Sequence, residues 1–201
     1  MHWDMRKLGA RDAYKLLGSC IVPRPIAWVS SQSSDGVPNL APFSFFNAIG
    51  NDPPVVVIGL VKAPDRELKD TASNIRATGE FVISLVSERD AQGMNQTSSN
   101  LPPDGDEAQT AGIAMLPSLA VAPQRVASAP AAFECRTLHY IETGPSQVAV
   151  IGEVLMCHVQ DCFIKDPERI HLDIEAMQLI ARMHGAGWYS RQTDLFEMPR
   201  P

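Results

Sequence analysis

The sequence predicts a mainly β fold, an antiparallel and Greek-key-like barrel with a few added helices. Two pairs of long apolar, β-branched runs are each separated by a turn signal, and another run at residues 53–61 is almost continuously apolar. Few segments show the apolar spacing of a helix. A chain with many strands, regular turns and few helices favours a closed barrel.

The first pair of runs predicts a hairpin near the start of the chain. Residues 20–31 (CIVPRPIAWVSS) are apolar and β-branched, with two prolines near the start, where a strand ladder tolerates them best. A turn follows at residues 33–36, in which Gly36 is free to adopt a positive φ. Residues 37–47 predict the return strand, and the run at 53–61 predicts a fully buried strand.

The clearest helix lies between the two hairpins. Pro64 and Asp65 form its start signal, and Gly79 stands where a C-terminal cap belongs. Residues 81–86 predict the strand that follows this helix. Residues 88–126 are polar and rich in proline, and they contain no motif that assigns them a role.

The second half of the chain predicts another hairpin. Residues 132–142 and 147–160 are two long strand-like runs, with a turn at residues 144–146 between them. Residues 174–183 predict a short helix.

Composition limits the classes of function. A chain of 201 residues that is 45% hydrophobic fits a single domain over residues 1–201. The net charge of -6 argues against nucleic acid as a partner. No run is apolar enough to span a membrane and the N-terminus lacks a secretory signal, so we expect a cytoplasmic protein. The four cysteines lack metal-site spacing, and we expect reduced thiols mostly in or near the core and no metal.

Three segments combine apolar or aromatic residues with small hydroxyl and amide groups: 24–31 (RPIAWVSS), 39–47 (NLAPFSFFN) and 69–75 (KDTASNI). A flat ring binds between planar apolar walls, whereas a phosphate binds hydroxyls, backbone N–H groups and a cation. The mixture indicates a ligand with a flat ring and an anionic tail. The alternative is that these are ordinary hairpin, core and solvated helix residues.

The same segments closely resemble the flavin reductase-like family of FMN-binding split barrels. That family includes flavoredoxins and the small reductase components of two-component monooxygenases. The resemblance extends over roughly residues 10–190 and includes the strand VAVIGEV at 148–154 and the segment RMHGAGWY at 182–189. It implies a split β-barrel that binds FMN.

The resemblance also assigns site residues. The opening hairpin would surround the flavin ring and its ribityl chain, the serines at 30–31 and helix residues 69, 71 and 74 would face the phosphate, and the C-terminal segment would close one side. The cofactor-binding positions so implied are Arg24, Pro25, Trp28, Val29, Ser30, Ser31, Asn39, Ala41, Ser44, Phe45, Phe46, Lys69, Thr71, Asn74, Arg182, His184 and Tyr189.

The activity implied is NAD(P)H-dependent reduction of flavin, with hydride transfer to the flavin N5 and NAD(P)H as a transient co-substrate. No catalytic side chain is needed, because the flavin carries the chemistry. A monooxygenase or another electron acceptor would receive the electrons. Many flavin reductases carry a histidine where this chain has residues 144–147 (GPSQ). Two alternatives therefore stay open: a flavoredoxin-type carrier reduced by a protein donor, and a non-catalytic flavin-binding module.

The resemblance further implies a homodimer. The opening hairpin independently favours one, because Trp28, Phe43, Phe45 and Phe46 are too close in sequence for alternation to send all of them into one core. The alternative is that other parts of the same chain cover them.

Overall fold

A computed structural model describes residues 1–61, 70–99, 101–102, 105–145 and 147–199 of the chain. Its main sheet consists of β1 (Ala27–Gln32), β2 (Pro38–Phe43), β3 (Phe46–Asn51), β4 (Pro54–Val61), β5 (Glu80–Leu85), β6 (Ala131–Gly144) and β7 (Gln147–Val159). The strands are hydrogen-bonded in the order β2-β1-β5-β6-β7-β4-β3, and every neighbouring pair is antiparallel. The predicted mainly β, antiparallel architecture is confirmed.

Short helices and strands surround this sheet. The described α-helices are α1 (Ala10–Cys20), α2 (Asp70–Thr78), α3 (Ala91–Gln96) and α4 (Glu107–Thr110), with 3-10 turns at Met5–Lys7, Glu88–Asp90 and Asp161–Phe163. The short strands are Arg24–Pro25, Met115–Leu116, Arg125–Val126, Ile164–Asp166, His171–Leu172, Ile180–Arg182 and Tyr189–Arg191. No helix in the described ranges is long and apolar enough to cross a membrane.

Alternation along β1 creates two separate cores. Ala27 and Val29 point into the barrel interior, where α2 contributes Ala72 and Ile75. Trp28 points to the opposite face and packs into a second apolar cluster, formed with residues of α3 and α4. One strand therefore anchors both layers, as the period of two in side-chain direction requires.

A glycine allows the barrel interior to close around an aromatic ring. Gly152 lies at a register shift between β6 and β7. A Cβ at this position would lie 2.5 Å from the Cζ of Phe81, whose side chain is fully buried. The segment VAVIGEV therefore needs a residue without a side chain at position 152.

Both predicted hairpins are confirmed. β1 pairs with β2 from Ala27 opposite Phe43 to Gln32 opposite Pro38, and Gly36 in the turn has a φ of 84°. β6 pairs with β7 along almost their whole length. The described part of the central helix is α2, and Gly79 ends it with a φ of 74° and an N–H bond to the Ile75 carbonyl. The predicted helix start at 64–65 lies outside the described residues.

The predicted helix at residues 174–183 is wrong. Residues 174–178 form turns, and Ile180–Arg182 is a strand that pairs with Arg24–Pro25 and Tyr189–Arg191. The Ile180 N–H bonds to the Val86 carbonyl, and Ile180 and Ala181 are buried. Tertiary hydrogen bonds and burial thus override the weak local preference of this segment.

Two further expectations differ from the structure. Residue 20 does not open a strand, because Cys20 is the last residue of α1, a helix that the sequence analysis did not predict. Among the four thiols only Cys135 is buried, whereas Cys20, Cys157 and Cys162 are exposed. The exposed thiols lie at the end of α1, near the end of β7 and in the 3-10 turn that follows it.

Candidate functional site

Four polar side chains meet where the opening hairpin contacts α2. Ser31 of β1 and Asn39 of β2 are directly opposed, and Thr71 and Asn74 lie one helical turn apart on α2. The Asn39 amide donates to the Thr71 hydroxyl at 2.8 Å, and the Asn74 amide donates to the Ser31 hydroxyl at 3.2 Å. All four side chains are buried. We call these four residues the polar cluster.

The polar cluster has the chemistry of an anion site. The hydroxyls of Ser31 and Thr71 each accept a hydrogen bond from an amide. Each hydroxyl also has one proton, with which it can act as a donor. Buried hydroxyl and amide donors of this kind suit a phosphate.

The outer edge of β2 runs away from the polar cluster. Prolines 38 and 42 lack N–H groups, and the N–H of Leu40 between them donates to the Glu107 carboxylate of α4 at 3.1 Å. Burial raises the pKa of Glu107 above its usual value. This edge therefore presents carbonyls and proline rings, and the carboxylate covers the N–H of Leu40.

Arg24 organises the opposite end of this edge. Its side chain is buried and donates to the carbonyls of Gly18, Ile21 and Met183 at 2.6, 2.7 and 2.9 Å. Its Nε also lies 3.4 Å from the Ser44 hydroxyl. The guanidinium therefore ties the C-terminal end of α1, the end of β2 and the C-terminal segment together.

Aromatic groups surround Ser44. The Arg24 guanidinium lies 5.9 Å from the centre of the Phe45 ring, and the centre of the Tyr14 ring lies 5.8 Å from the centre of the same ring. A small cavity of about 140 Å³ opens here, lined by Tyr14, Pro42, Phe43, Ser44, Phe45, Gly59 and Val61. An apolar recess with one hydroxyl group suits the edge of a flat heterocycle.

The C-terminal segment forms a tight hairpin whose tip carries two flat rings. His184 and Trp188 are stacked with ring centres 6.3 Å apart and planes inclined by 14°. At its base, the Arg182 guanidinium lies 4.8 Å from the centre of the Tyr189 ring. Trp188 is 66% exposed, so the hairpin presents an aromatic surface to its surroundings.

Three predicted site residues of β1, Trp28, Val29 and Ser30, have buried side chains. Trp28 and Val29 are completely buried, and the Trp28 indole donates to the Thr97 hydroxyl at 2.9 Å. The Ser30 hydroxyl donates to the Gln124 carbonyl. The predicted flavin contacts of Trp28 and Val29 would therefore have to come from backbone groups.

The remaining predicted residues lie around these features. Ala41 and Phe46 are partly buried against the barrel core, and Pro25 lines an apolar cavity of about 310 Å³ on another face. Lys69 lies outside the described residues. Within the ranges that the structure describes, no cluster of three or more histidine, cysteine or acidic side chains could hold a metal ion.

The sequence analysis did not assign Tyr14, Glu107 or Trp188 to the site. The spacing of Ala13, Leu16 and Leu17 could have predicted α1 and with it the position of Tyr14. No local signal links Glu107 to Leu40, because 67 residues separate them.

Comparisons with known proteins identify the family of this chain. A family model described as a flavin reductase like domain matches residues 18–172. A protein of Deinococcus radiodurans is 40% identical to the chain, over 99% of this chain and 89% of that protein.

Two solved structures are similar to this chain in both sequence and fold. The 2-nitrobenzoate 2-nitroreductase of Pseudomonas fluorescens is 32% identical with a TM-score of 0.90, covering 100% of this chain and 96% of that one. Nitrilotriacetate monooxygenase component B of Bacillus cereus is 29% identical with a TM-score of 0.91, covering 98% of both chains. The resemblance inferred from the sequence motifs is thus confirmed, and the chain belongs to the flavin reductase-like family.

Proposed function

We propose that this protein binds FMN along the edge of β2 and reduces it with NAD(P)H. The observation that carries the proposal is the buried polar cluster at one end of an edge strand whose other end is lined by aromatic rings. Family membership supports a flavin oxidoreductase in general. The choice of FMN and of a nicotinamide donor is our inference.

The site dimensions support a flavin with its phosphate in the polar cluster. From Asn39 in β2 to Ser44 just after it, an extended chain spans about 17 Å, at roughly 3.4 Å per residue. An extended flavin mononucleotide can cover this distance. Its phosphate would accept hydrogen bonds from Ser31 and Thr71, and its ring would lie near Ser44 and Phe45.

The chain's own contribution is binding and orientation. The flavin, when bound, supplies the two-electron chemistry by accepting a hydride from the nicotinamide at its N5. Arg24 fixes the end of β2 and the C-terminal hairpin relative to each other, because its guanidinium contacts the Ser44 hydroxyl and donates to the Met183 carbonyl. The rings of His184 and Trp188 would limit the access of water to the ring from that side.

We further propose that the protein acts as a homodimer, with the C-terminal hairpin closing the site of its own or the partner subunit. Trp188 at the tip and Ile49 on β3 are more than half exposed. The aromatic excess of the opening hairpin supports this less than we expected, because Trp28 and Phe43 are buried by the chain itself. Light scattering should give twice 21.9 kDa, and a particle of 21.9 kDa at all concentrations would refute the dimer.

The electron acceptor would be a second protein or a small aromatic compound. One relative is named as a component of a monooxygenase and another as a nitroreductase. A monooxygenase partner would take reduced flavin from this protein. A nitroaromatic substrate would take electrons while the flavin stays bound.

The test is to mix the FMN-loaded protein with NADH, and separately with NADPH, under nitrogen in a stopped-flow instrument. We expect loss of the flavin absorption band with at least one of them, much faster than with free FMN. Reduction no faster than for free FMN with both would refute the reductase. A redox protein donor that then reduced the bound flavin would establish the carrier alternative. Subsequent addition of 2-nitrobenzoate distinguishes direct reduction of a nitroaromatic from transfer to a partner.

A further inference from the structure

A buried carboxylate lies beside the polar cluster. Glu107, the first residue of α4, is only 7% exposed, and its Oε2 accepts the Leu40 N–H at 3.1 Å. Leu40 follows Asn39, a member of the cluster. Asp70, which precedes Thr71 at the start of α2, is close enough for its charge to act on Glu107. The carboxylate is therefore next to the cluster both along β2 and at the start of α2.

The charged side chains that act on Glu107 in the described part of the chain are acidic. They are Asp70 on α2 and Asp106, its neighbour in sequence. β2 and α3 share an apolar cluster with α4, and neither contains an ionisable side chain. The strand Arg125–Val126 reaches the same apolar cluster through Val126, and its Arg125 makes no ion pair with Glu107.

These surroundings favour the protonated form of Glu107. Burial is the largest cause that raises the pKa of Glu107, and the charges of Asp70 and Asp106 raise it further. The backbone N–H groups of Leu40 and of Glu107 itself act in the opposite direction without outweighing burial. This carboxyl group therefore binds a proton more readily than an exposed glutamate does.

A phosphate in the polar cluster would bring a second anion to this carboxylate. Two like charges repel strongly where water is largely excluded, because little solvent screens them. Protonation of Glu107 removes the repulsion, whereas ionisation restores it. The affinity of the cluster for a phosphate must then depend on the charge of Glu107.

We infer that Glu107 couples the binding of the flavin phosphate to a proton, so that its ionised carboxylate weakens FMN binding and the site takes up a proton as FMN enters. The inference rests on the proposed function, because the phosphate must occupy the polar cluster. The proton comes from the solvent and adds to the Glu107 carboxylate, and no other covalent bond changes. By reciprocity, the affinity for FMN falls as the pH rises. Glu107 thereby limits how tightly the protein retains its flavin.

Glu107→Gln tests the inference, because glutamine can still accept the Leu40 N–H and cannot ionise. In mildly alkaline buffer we expect this variant to bind FMN about tenfold more tightly than the unsubstituted protein does. The affinity for riboflavin, which lacks the phosphate, should not change. Fluorescence titration measures both affinities, and the gain for FMN should shrink as the pH is lowered.

Proton uptake distinguishes this role from a merely structural one. Titration calorimetry in buffers of different ionisation enthalpy gives the number of protons taken up with FMN. In mildly alkaline buffer the phosphate of free FMN is already fully ionised, so the unsubstituted protein should take up protons and Glu107→Gln should take up fewer. A residue that only holds Leu40 in place would leave this number unchanged.

Asp106→Asn is the matched control, because it removes one negative charge at the next position. Asparagine can still accept the Gln109 N–H that Asp106 accepts at 2.9 Å. Asp106 is partly exposed, so solvent screens its charge and the gain in FMN affinity should be smaller than in Glu107→Gln. An equal gain would indicate a general effect of negative charge and overturn the assignment to Glu107.

The inference is also overturned if Glu107→Gln binds FMN no more tightly, or if the unsubstituted protein takes up no proton in mildly alkaline buffer. The second measurement needs no substitution, and circular dichroism verifies that the variants are folded. Failure of FMN to bind would instead refute the proposed function. Inorganic phosphate then tests the cluster: it should raise the melting temperature of Glu107→Gln more than that of the unsubstituted protein, and equal effects would overturn the inference.

Discussion

The amide of Asn39 donates to the hydroxyl of Thr71 across 2.8 Å, which joins the edge strand β2 to the first turn of α2. If Thr71 also donates to a phosphate, Thr71→Val should weaken FMN binding by roughly tenfold, about 1.4 kcal/mol. Riboflavin lacks the phosphate, so its affinity should hardly change. Fluorescence titration with both ligands measures the difference.

Thr71→Ser is the control for that prediction, because it retains the hydroxyl group and loses only a methyl group. It should bind FMN nearly as well as the unsubstituted protein. Equal losses for FMN and riboflavin in Thr71→Val would remove Thr71 from the phosphate site and indicate a general effect on the fold.

Arg24 should matter for stability as well as for the site. Replacing it by glutamine leaves the carbonyls of Gly18, Ile21 and Met183 without their donor, the first in a buried hydrogen bond and the other two in partly buried ones. We expect Arg24→Gln to lower the free energy of unfolding by about 3 kcal/mol or more, because each unpaired buried group costs about 1–3 kcal/mol. Urea unfolding followed by circular dichroism gives this value.

The exposed Arg11 of α1 offers a matched control. Arg11→Gln should change the unfolding free energy by no more than about 0.5 kcal/mol. A similarly small effect of Arg24→Gln would show that its carbonyl contacts are dispensable, and its role as the organiser of the site would then be wrong.

The exposed tip of the C-terminal hairpin can be followed by fluorescence. Trp28 is completely buried, whereas Trp188 is 66% and Trp3 54% exposed. If the hairpin closes over the flavin, FMN should quench mainly Trp188 and shield it from iodide. Trp188→Phe should therefore remove most of the FMN-dependent change in tryptophan fluorescence.

Trp3→Phe is the matched control, because it removes another exposed indole that has no place in the proposed site. It should leave the FMN-dependent change intact. A change lost in Trp3→Phe and retained in Trp188→Phe would contradict the proposed position of the hairpin.

The sequence predicted those parts of the fold whose signals are local. Turn residues and alternation are sufficient for the hairpins, and Gly79 ends α2 through its own conformational freedom. The segment at 174–183 was assigned wrongly because its structure depends on the distant hydrogen bond between Ile180 and Val86. The residues next to Ile180 in sequence carry no signal that predicts its hydrogen bond with Val86.

The same distinction applies to the site. Thr71 and Asn74 could be placed on one helix face from their spacing, and the family motifs supplied a role for them. The contact between Glu107 and Leu40 and the enclosure of Phe45 by Tyr14 could not be predicted. Both depend on how distant parts of the chain pack against the edge of β2.

A buried carboxylate outside the site gives the chain a definite response to acid. Glu134 of β6 is fully buried and accepts the N–H groups of Leu119 and Ala120, the first at 2.8 Å. The ring of His158 lies 2.6 Å from its Oε1. Burial by itself would raise the pKa of Glu134, but these hydrogen bonds outweigh it and hold the pKa below the ordinary value of 4.5.

Because the folded protein binds this proton less readily than the unfolded chain, ionised Glu134 contributes stability that is fully present above pH 4.5. That contribution should disappear as the pH falls through the lower pKa of the folded state. At neutral pH, Glu134→Gln should cost about 1–3 kcal/mol, since one amide oxygen cannot replace both carboxylate oxygens. The difference in unfolding free energy between this variant and the unsubstituted protein should shrink in acid. Urea unfolding, repeated from neutral pH down to the lowest pH at which the protein is folded, measures it.

Glu142→Gln is the control, because it changes an exposed position of the same strand and should show neither effect. A stability difference between the Glu134→Gln variant and the unsubstituted protein that stayed constant on acidification would show that the ionised carboxylate contributes nothing.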